Sequence, residues 1–258
     1  MNIGGLPIAQ ADTVAARDVA ESAGDAWGVF MAPHNLGYIQ FLSGDLPGAL
    51  ASMEAAQQAV EEPPVGVPSM DRARVLLAAG LVGEAAELSE LAVQDFDRNR
   101  ALSELPDALM VAAEADLLQG DWRAAVSRTC PARSLNRRRG HANAALLAEL
   151  LELKAVAAGR LEEKQLARSR TDARNALRLA VSLAVDLPAD ASSAYLICAE
   201  AFLDAGDLDS SEAMAAEAAR RAFRLRCWRW LSARWRPTSR FSINTCSGRS
   251  CPRSPMAR

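Results

Sequence analysis

A cysteine nucleophile needs a base within hydrogen-bond reach, and a structural zinc ion needs four ligands. The chain offers two histidines, His34 and His141, and five cysteines, Cys130, Cys198, Cys227, Cys246 and Cys251. His34 follows Pro33 and reads as a capping or surface residue at the start of a helix. His141 follows Arg137-Arg138-Arg139-Gly140 and reads as part of a solvated joint. Neither has a second ligand nearby in sequence. Cys198 lies inside AYLICAEAF, where apolar neighbours raise a thiol's pKa and leave it inert. Cys227, Cys246 and Cys251 are followed by no fourth Cys or His. No glycine-rich phosphate-binding phrase occurs, and adjacent carboxylates such as Glu61-Glu62 point different ways on a helix. The expectation is a protein that is not an enzyme, with no catalytic residue, no metal ligand and no cofactor.

Binding chemistry is the other possibility, and charge is its first indicator. Arg123, Arg128, Arg133, Arg137, Arg138 and Arg139 fall in one stretch without a carboxylate. Such a run can grip phosphate or an acidic partner, or form the polar face of one helix pair. Residues 1–219 carry all 32 carboxylates against 18 Lys and Arg, a balance of -14 that repels nucleic acid. Surface charge is the reading adopted for the arginine run, and no nucleic-acid partner is favoured. Residues 220–258 reverse the sign, with 11 Arg and no Asp, Glu or Lys.

The elements that would carry a binding surface are legible as a repeat. Hydrophobic residues make up 50% of the 258, and 53 are alanine, which favours helices and weakens sheets. An alanine- and leucine-rich segment, a glycine often followed by Asp, and a second alanine-rich segment recur five times. The glycines are Gly44, Gly80, Gly120, Gly159 and Gly206, at spacings of 36, 40, 39 and 47. Each is read as the turn of an antiparallel helix hairpin, since glycine ends a helix in the left-handed conformation without a Cβ clash. Asp45, Asp121 and Asp207 come next as caps of the second helix. Ala49, Ala85 and Ala125, five places after their glycines, fit where two helices cross closely.

Prolines mark the joints: Pro63-Pro64 and Pro68, with Ser69 as the expected cap, then Pro106 and Pro188. Cys130-Pro131 falls where a second helix should continue, so proline is expected to end or kink it. Thr13–Ser22 reads as the second helix of an incomplete pair. Single hairpins bury little, whereas stacked ones share a continuous core. The fold expected is all-α, a right-handed superhelix of about five hairpins over residues 12–222. Residues 1–11 are expected to be disordered. The first helices should line the concave side around His34–Leu42, Arg72–Leu77, Leu109–Leu117, Asn143–Glu152 and Ala194–Phe202.

The phrase Asn35-Leu36-Gly37, Gly44-Asp45, Ala49 and Ala56 resembles the tetratricopeptide repeat signature. The longer spacings, with "HNLGYIQFLSGDLPGAL" and "DRARVLLAAGLVGEAAEL", are similar to the repeat arm of actinobacterial CHAT-domain proteins, over about residues 30–219. That resemblance implies a sensing or binding arm ahead of a caspase-like peptidase, and related arms occur in bacterial transcription regulators. No catalytic residue of that family can be carried over to this chain. The function expected is therefore a scaffold that binds a protein or peptide on its concave surface. The alternative is a regulatory arm present as a truncated fragment.

The last stretch admits three readings. RRAFRLRCWRWLSARWRP could be a cationic, apolar-faced helix for anionic surfaces, or a basic disordered tail. Loss of every acid with gain of Arg, Ser, Pro, Cys and Trp is also what a shifted reading frame in a GC-rich gene produces. Residues 223–258 are expected to be disordered in either of the last two. Few cysteines in the body, no positively charged apolar leader and no run of roughly 18 apolar residues give a cytoplasmic expectation with no membrane span.

Overall fold

The computed structural model describes residues 6–162, 168, 171, 174–181 and 188–224. Every element among them is an α-helix. They are α1 (Leu6–Ala23), α2 (Ala26–Leu42), α3 (Leu46–Gln58), α4 (Val67–Ala79), α5 (Val82–Arg98), α6 (Leu105–Gln119) and α7 (Trp122–Arg138). Beyond these lie α8 (Ala142–Glu162), a helical stretch at 174–181 (α9), α10 (Pro188–Asp204) and α11 (Leu208–Arg224). Consecutive helices pack antiparallel as hairpins, and the hairpins stack into a superhelix.

The turns share one device. Gly44, Gly80, Gly120 and Gly206 all have φ between 70° and 86°. In each case the next residue's N–H donates to a carbonyl five positions back, as Asp45 does to Gln40 and Asp121 to Asp116, both at 2.9 Å. That pairing satisfies carbonyls which the helix end leaves open. The aspartates then cap the second helix of the pair: Asp45 accepts from the Gly48 N–H at 3.0 Å, Asp121 from Ala124 at 2.9 Å and Asp207 from Ser210 at 3.2 Å. Asp121→Ala should cost about 1 kcal/mol of stability, read from the urea midpoint.

The same geometry closes joints between hairpins, at Gly24, Gly140 and Arg100. Arg100 has φ 52° and is the non-glycine residue with positive φ among those described. A side chain in that region costs about 1–2 kcal/mol, partly offset by the lower chain entropy it gives the unfolded state. Arg100→Gly should therefore stabilise the protein by about 0.5–1 kcal/mol. A lower urea midpoint would contradict this reading of the joint.

Packing repeats with the turns. Ala49, Ala85 and Ala125 are wholly buried, and Ser211 holds the matching place in α11, donating to the Ala199 carbonyl at 2.8 Å. Seven residues further on, Ala56, Ala92, Ala132 and Ala218 are buried too. Two turns of small residues let each second helix lie close against its partner. Larger side chains fill the space between layers, among them Phe41 and Met53, then Met70, Phe96 and Leu109, then Leu150, Leu151 and Ile197. In the inner layer α2 touches α4, α4 touches α6, α6 touches α8 and α8 touches α10. No comparable succession joins α3, α5 and α7. The first helices therefore form the tight, concave side.

Several expectations need correction. Gly159 is no turn: it is buried inside α8, and a Cβ there would lie 2.6 Å from the Trp122 indole. Residues 163–167, which follow α8, lie outside the described residues. The N-terminal stretch taken as disordered up to residue 11 is helical from Leu6, because α1 packs along α2. Ser69 is not a cap but a buried residue within α4, which starts at Val67 after Gly66 with φ 73°. Pro131 neither ends nor interrupts α7; the Ser127 carbonyl it deprives of a donor is on an exposed residue, where water can replace the bond. At the other end α11 continues to Arg224, and 225–258, including Cys227, Cys246 and Cys251, lies outside the described residues.

Candidate concave groove

Along the inner layer runs a groove of about 390 Å³ that draws on all five first helices. Its apolar lining includes Tyr38, Phe41 and Leu42 from α2, Leu77 from α4, Met110 and Leu117 from α6, Leu147 and Leu151 from α8, and Leu196 and Ile197 from α10. Of the described lining residues, only Ala78, Asp107, Leu118, Asn136 and Lys154 fall outside the five segments expected from sequence. Leu118 is the most exposed apolar member, at 59%. Its position one residue before Gln119 at the end of α6 gave no sign that it faced inward.

Charged side chains enter the groove in pairs from neighbouring helices. Arg74 donates to Asp71 at 2.9 Å and lies 3.9 Å from Asp107, linking α4 to α6. Lys154 pairs with Glu200, linking α8 to α10. Burial raises the pKa of the Tyr38 hydroxyl, with Arg74 acting in the opposite direction. The paired charges fix their long side chains and leave the apolar floor open between them.

His34 is corrected here. Helix α2 starts at Ala26, capped by Asp25, so His34 stands two turns inside it and is 3% exposed. Its ring stacks on Phe30 with centroids 5.7 Å apart, and Nε2 lies 3.6 Å from Asp71 without a hydrogen-bond partner. His141 is exposed at the α7–α8 joint, as expected. Cys198 is buried, and desolvation pushes its thiol up to about 12. No group of three or more His, Cys, Asp or Glu that could hold a metal occurs among the described residues.

Three arginines of the run, Arg128, Arg133 and Arg137, pair with carboxylates on neighbouring helices. Arg128 donates to Asp116 of α6 at 2.6 Å and pairs with Glu90 of α5 at 2.9 Å. Arg133 lies 3.4 Å from Glu152 and Arg137 2.6 Å from Glu149, both on α8. Arg139 donates to the Leu102 and Ser103 carbonyls, and Arg123 sits over the Trp122 ring at 4.1 Å. Carboxylates from α5, α6 and α8 thus face the arginines of α7 from both sides. Burial pushes the Asp116 carboxyl above its usual range even with Arg128 beside it, while the Gln94 hydrogen bond and Arg128 hold Glu90 below its own.

No protein-family model matches the chain, and no curated protein sequence matches it. Among solved structures it is similar to the crystal structure of BtubC (BKLC) from P. vanneervenii, at a TM-score of 0.52 and 16% identity. The likeness covers 96% of this chain and 98% of that one. At that identity it establishes the helical-repeat fold.

Proposed function

We propose that the protein is a scaffold that binds a peptide, or an apolar segment of another protein, in the concave groove, with no bond made or broken. The observation that carries this is the continuity of the groove across five successive first helices. Its size falls within the roughly 300–1,000 Å³ of ligand-holding clefts. Stacked-repeat folds create extended concave surfaces of this kind, and apolar floors flanked by fixed charges suit a segment with alternating apolar and polar residues. The reading places the protein in the cytoplasm, where Cys130 and Cys198 remain thiols. Joined to an effector such as a CHAT-type peptidase or a transcription regulator, occupancy of the groove would be the signal passed on. No helix among the described residues is long and apolar enough to cross a membrane.

The test is selection of binders to the full chain from a random peptide display library, with affinities then read by fluorescence anisotropy. Leu118→Asp puts a charge into the groove at an exposed position and should weaken selected peptides at least tenfold. Leu91→Asp, on the exposed side of α5, should leave them unchanged. Peptides that ignore Leu118→Asp, or a library that yields no binders, would refute the reading.

A further inference from the structure

We infer that the cleft between α1 and α2, at the N-terminal end of the stack, is a second binding surface that takes a basic α-helix donated by another polypeptide. It lies apart from the concave groove and needs no ligand there.

Helix α1 is built as the second helix of a hairpin. Its sequence Gly4-Gly5-Leu6-Pro7-Ile8-Ala9 matches Gly44-Asp45-Leu46-Pro47-Gly48-Ala49, 40 positions further on. Ala85, Ser89 and Ala92 precede the positive-φ joint residue Arg100 by 15, 11 and 8 places, and Ala125, Thr129 and Ala132 precede Gly140 likewise. All six are wholly buried. Before Gly24 the same places hold Ala9, Thr13 and Ala16. Thr13 donates to the Ala9 carbonyl at 2.6 Å, as Thr129 does to Ala125 at 3.0 Å. Yet Ala9 and Thr13 are only partly covered, and Ala16 is exposed. Among the described helices α1 packs on α2, and no first helix lies against this face. The end of a helical stack needs a polar outer face, whereas Ile8 and Val19 of α1 are 67% and 68% exposed.

The opening continues two interfaces already present in the fold. Thr13, Ala16 and Val19 of α1 line it together with Met31 and Asn35 of α2. Met31 and Asn35 stand 13 and 9 places before Gly44, as Asp107 and Val111 do before Gly120. In α6 the first of these places meets the preceding first helix, for Asp107 lies 3.9 Å from Arg74 of α4. A helix in the cleft therefore completes the α1 hairpin and extends the inner layer by one step. The chain's own first helices specify its pattern. Met70, Ala73 and Leu77 of α4 stand 10, 7 and 3 places before their turn glycine, as Met110, Ala113 and Leu117 of α6 do. The middle place must be small: a Cβ on its counterpart Gly37 would lie 2.8 Å from the Ala49 carbonyl oxygen. Bulky, small and bulky residues at i, i+3 and i+7 are the anchors of a docked helix. Charge sets the rest. Arg17 is shared by Asp18 and Glu21, while Asp12 borders the cleft, exposed and without a partner among the described residues. That acidic rim favours a basic donor.

The test titrates the full chain into a fluorescein-labelled peptide of the α4 sequence, Val67–Ala79, and reads anisotropy. This peptide carries the three anchors, with Arg72 and Arg74 against Asp71. Binding should saturate at one peptide per chain. Ala16→Arg fills the cleft from an exposed position and should weaken binding at least tenfold, as should Ala73→Leu in the peptide. Asp12→Lys, a surface change that leaves the packing intact, should weaken it at least fivefold. Ala11→Arg, exposed on α1 away from the cleft, and Leu118→Asp in the groove should leave it unchanged. No saturable binding, binding indifferent to Ala16→Arg, or binding lost with Leu118→Asp instead would overturn the inference. So would a chain that sediments as a dimer and becomes monomeric with Ala16→Arg, because a second copy would then be the occupant. Whether display-selected peptides respond to Leu118→Asp bears on the groove reading alone.

Discussion

Arg128→Ala should lower the unfolding free energy by about 2–3 kcal/mol at neutral pH, and much of that loss should return as the solution is acidified. Arg128 is 24% exposed and Asp116 12%, so the effect sits below the about 3–5 kcal/mol of fully buried pairs. Without the guanidinium nothing opposes the burial that already raises the Asp116 carboxyl, and nearby Asp121 and Glu90 push it further up. Above that raised value the native state holds an unpaired carboxylate. As pH falls through it, the native state takes up a proton that the unfolded chain, at about 3.9, does not yet bind, and the deficit against the parent shrinks. Urea titrations of parent and variant at about pH 7 and about pH 4.5 measure this. Equal deficits at both pH values would contradict the assignment, and adding Asp116→Asn to the variant should remove most of the pH dependence, leaving the share that Glu90 contributes.

Gly159→Leu should destabilise the protein by about 3 kcal/mol, the upper end of the cost of overpacking. A mere Cβ at this position meets three atoms of the Trp122 indole at 2.6–2.7 Å. The indole also carries the Arg123 guanidinium on its face, so moving it disturbs the start of α7. In a Trp122→Ala background the clash disappears, and Gly159→Ala should then stabilise by about 1 kcal/mol through helix propensity. A double-mutant cycle in urea reads both signs. If Gly159 were a hinge, Trp122→Ala would not change the effect of substituting it.

The glycine turns were legible because two independent signals coincide at Gly44, Gly120 and Gly206: a residue able to take positive φ and an aspartate able to cap the second helix. Gly159 carries the first signal without the second, for its neighbour is Arg160. Its absence of a Cβ answers a packing need from another helix, which sequence spacing does not reveal. Prolines misled for a related reason. Pro33 and Pro131 suggest helix boundaries, yet both helices run through them. Misplacing the start of α2 turned His34 from a buried ring stacked on Phe30 into a surface residue. The concave windows were readable because hairpin stacking dictates which helices face inward. The charges that flank the groove were not, since Arg74–Asp107 and Lys154–Glu200 join residues 33 and 46 positions apart. For the same reason Arg128, Arg133 and Arg137 of α7 looked available to a partner, although Glu90, Asp116, Glu149 and Glu152 hold them from three other helices.

Hydrogen exchange of the full chain with and without a saturating selected peptide tests the concave site most directly. New protection should concentrate in α2, α4, α6, α8 and α10, strongest around Tyr38–Leu42, Met110–Leu118 and Leu147–Leu151. Protection confined to α3, α5 and α7 with the inner helices unchanged would contradict it.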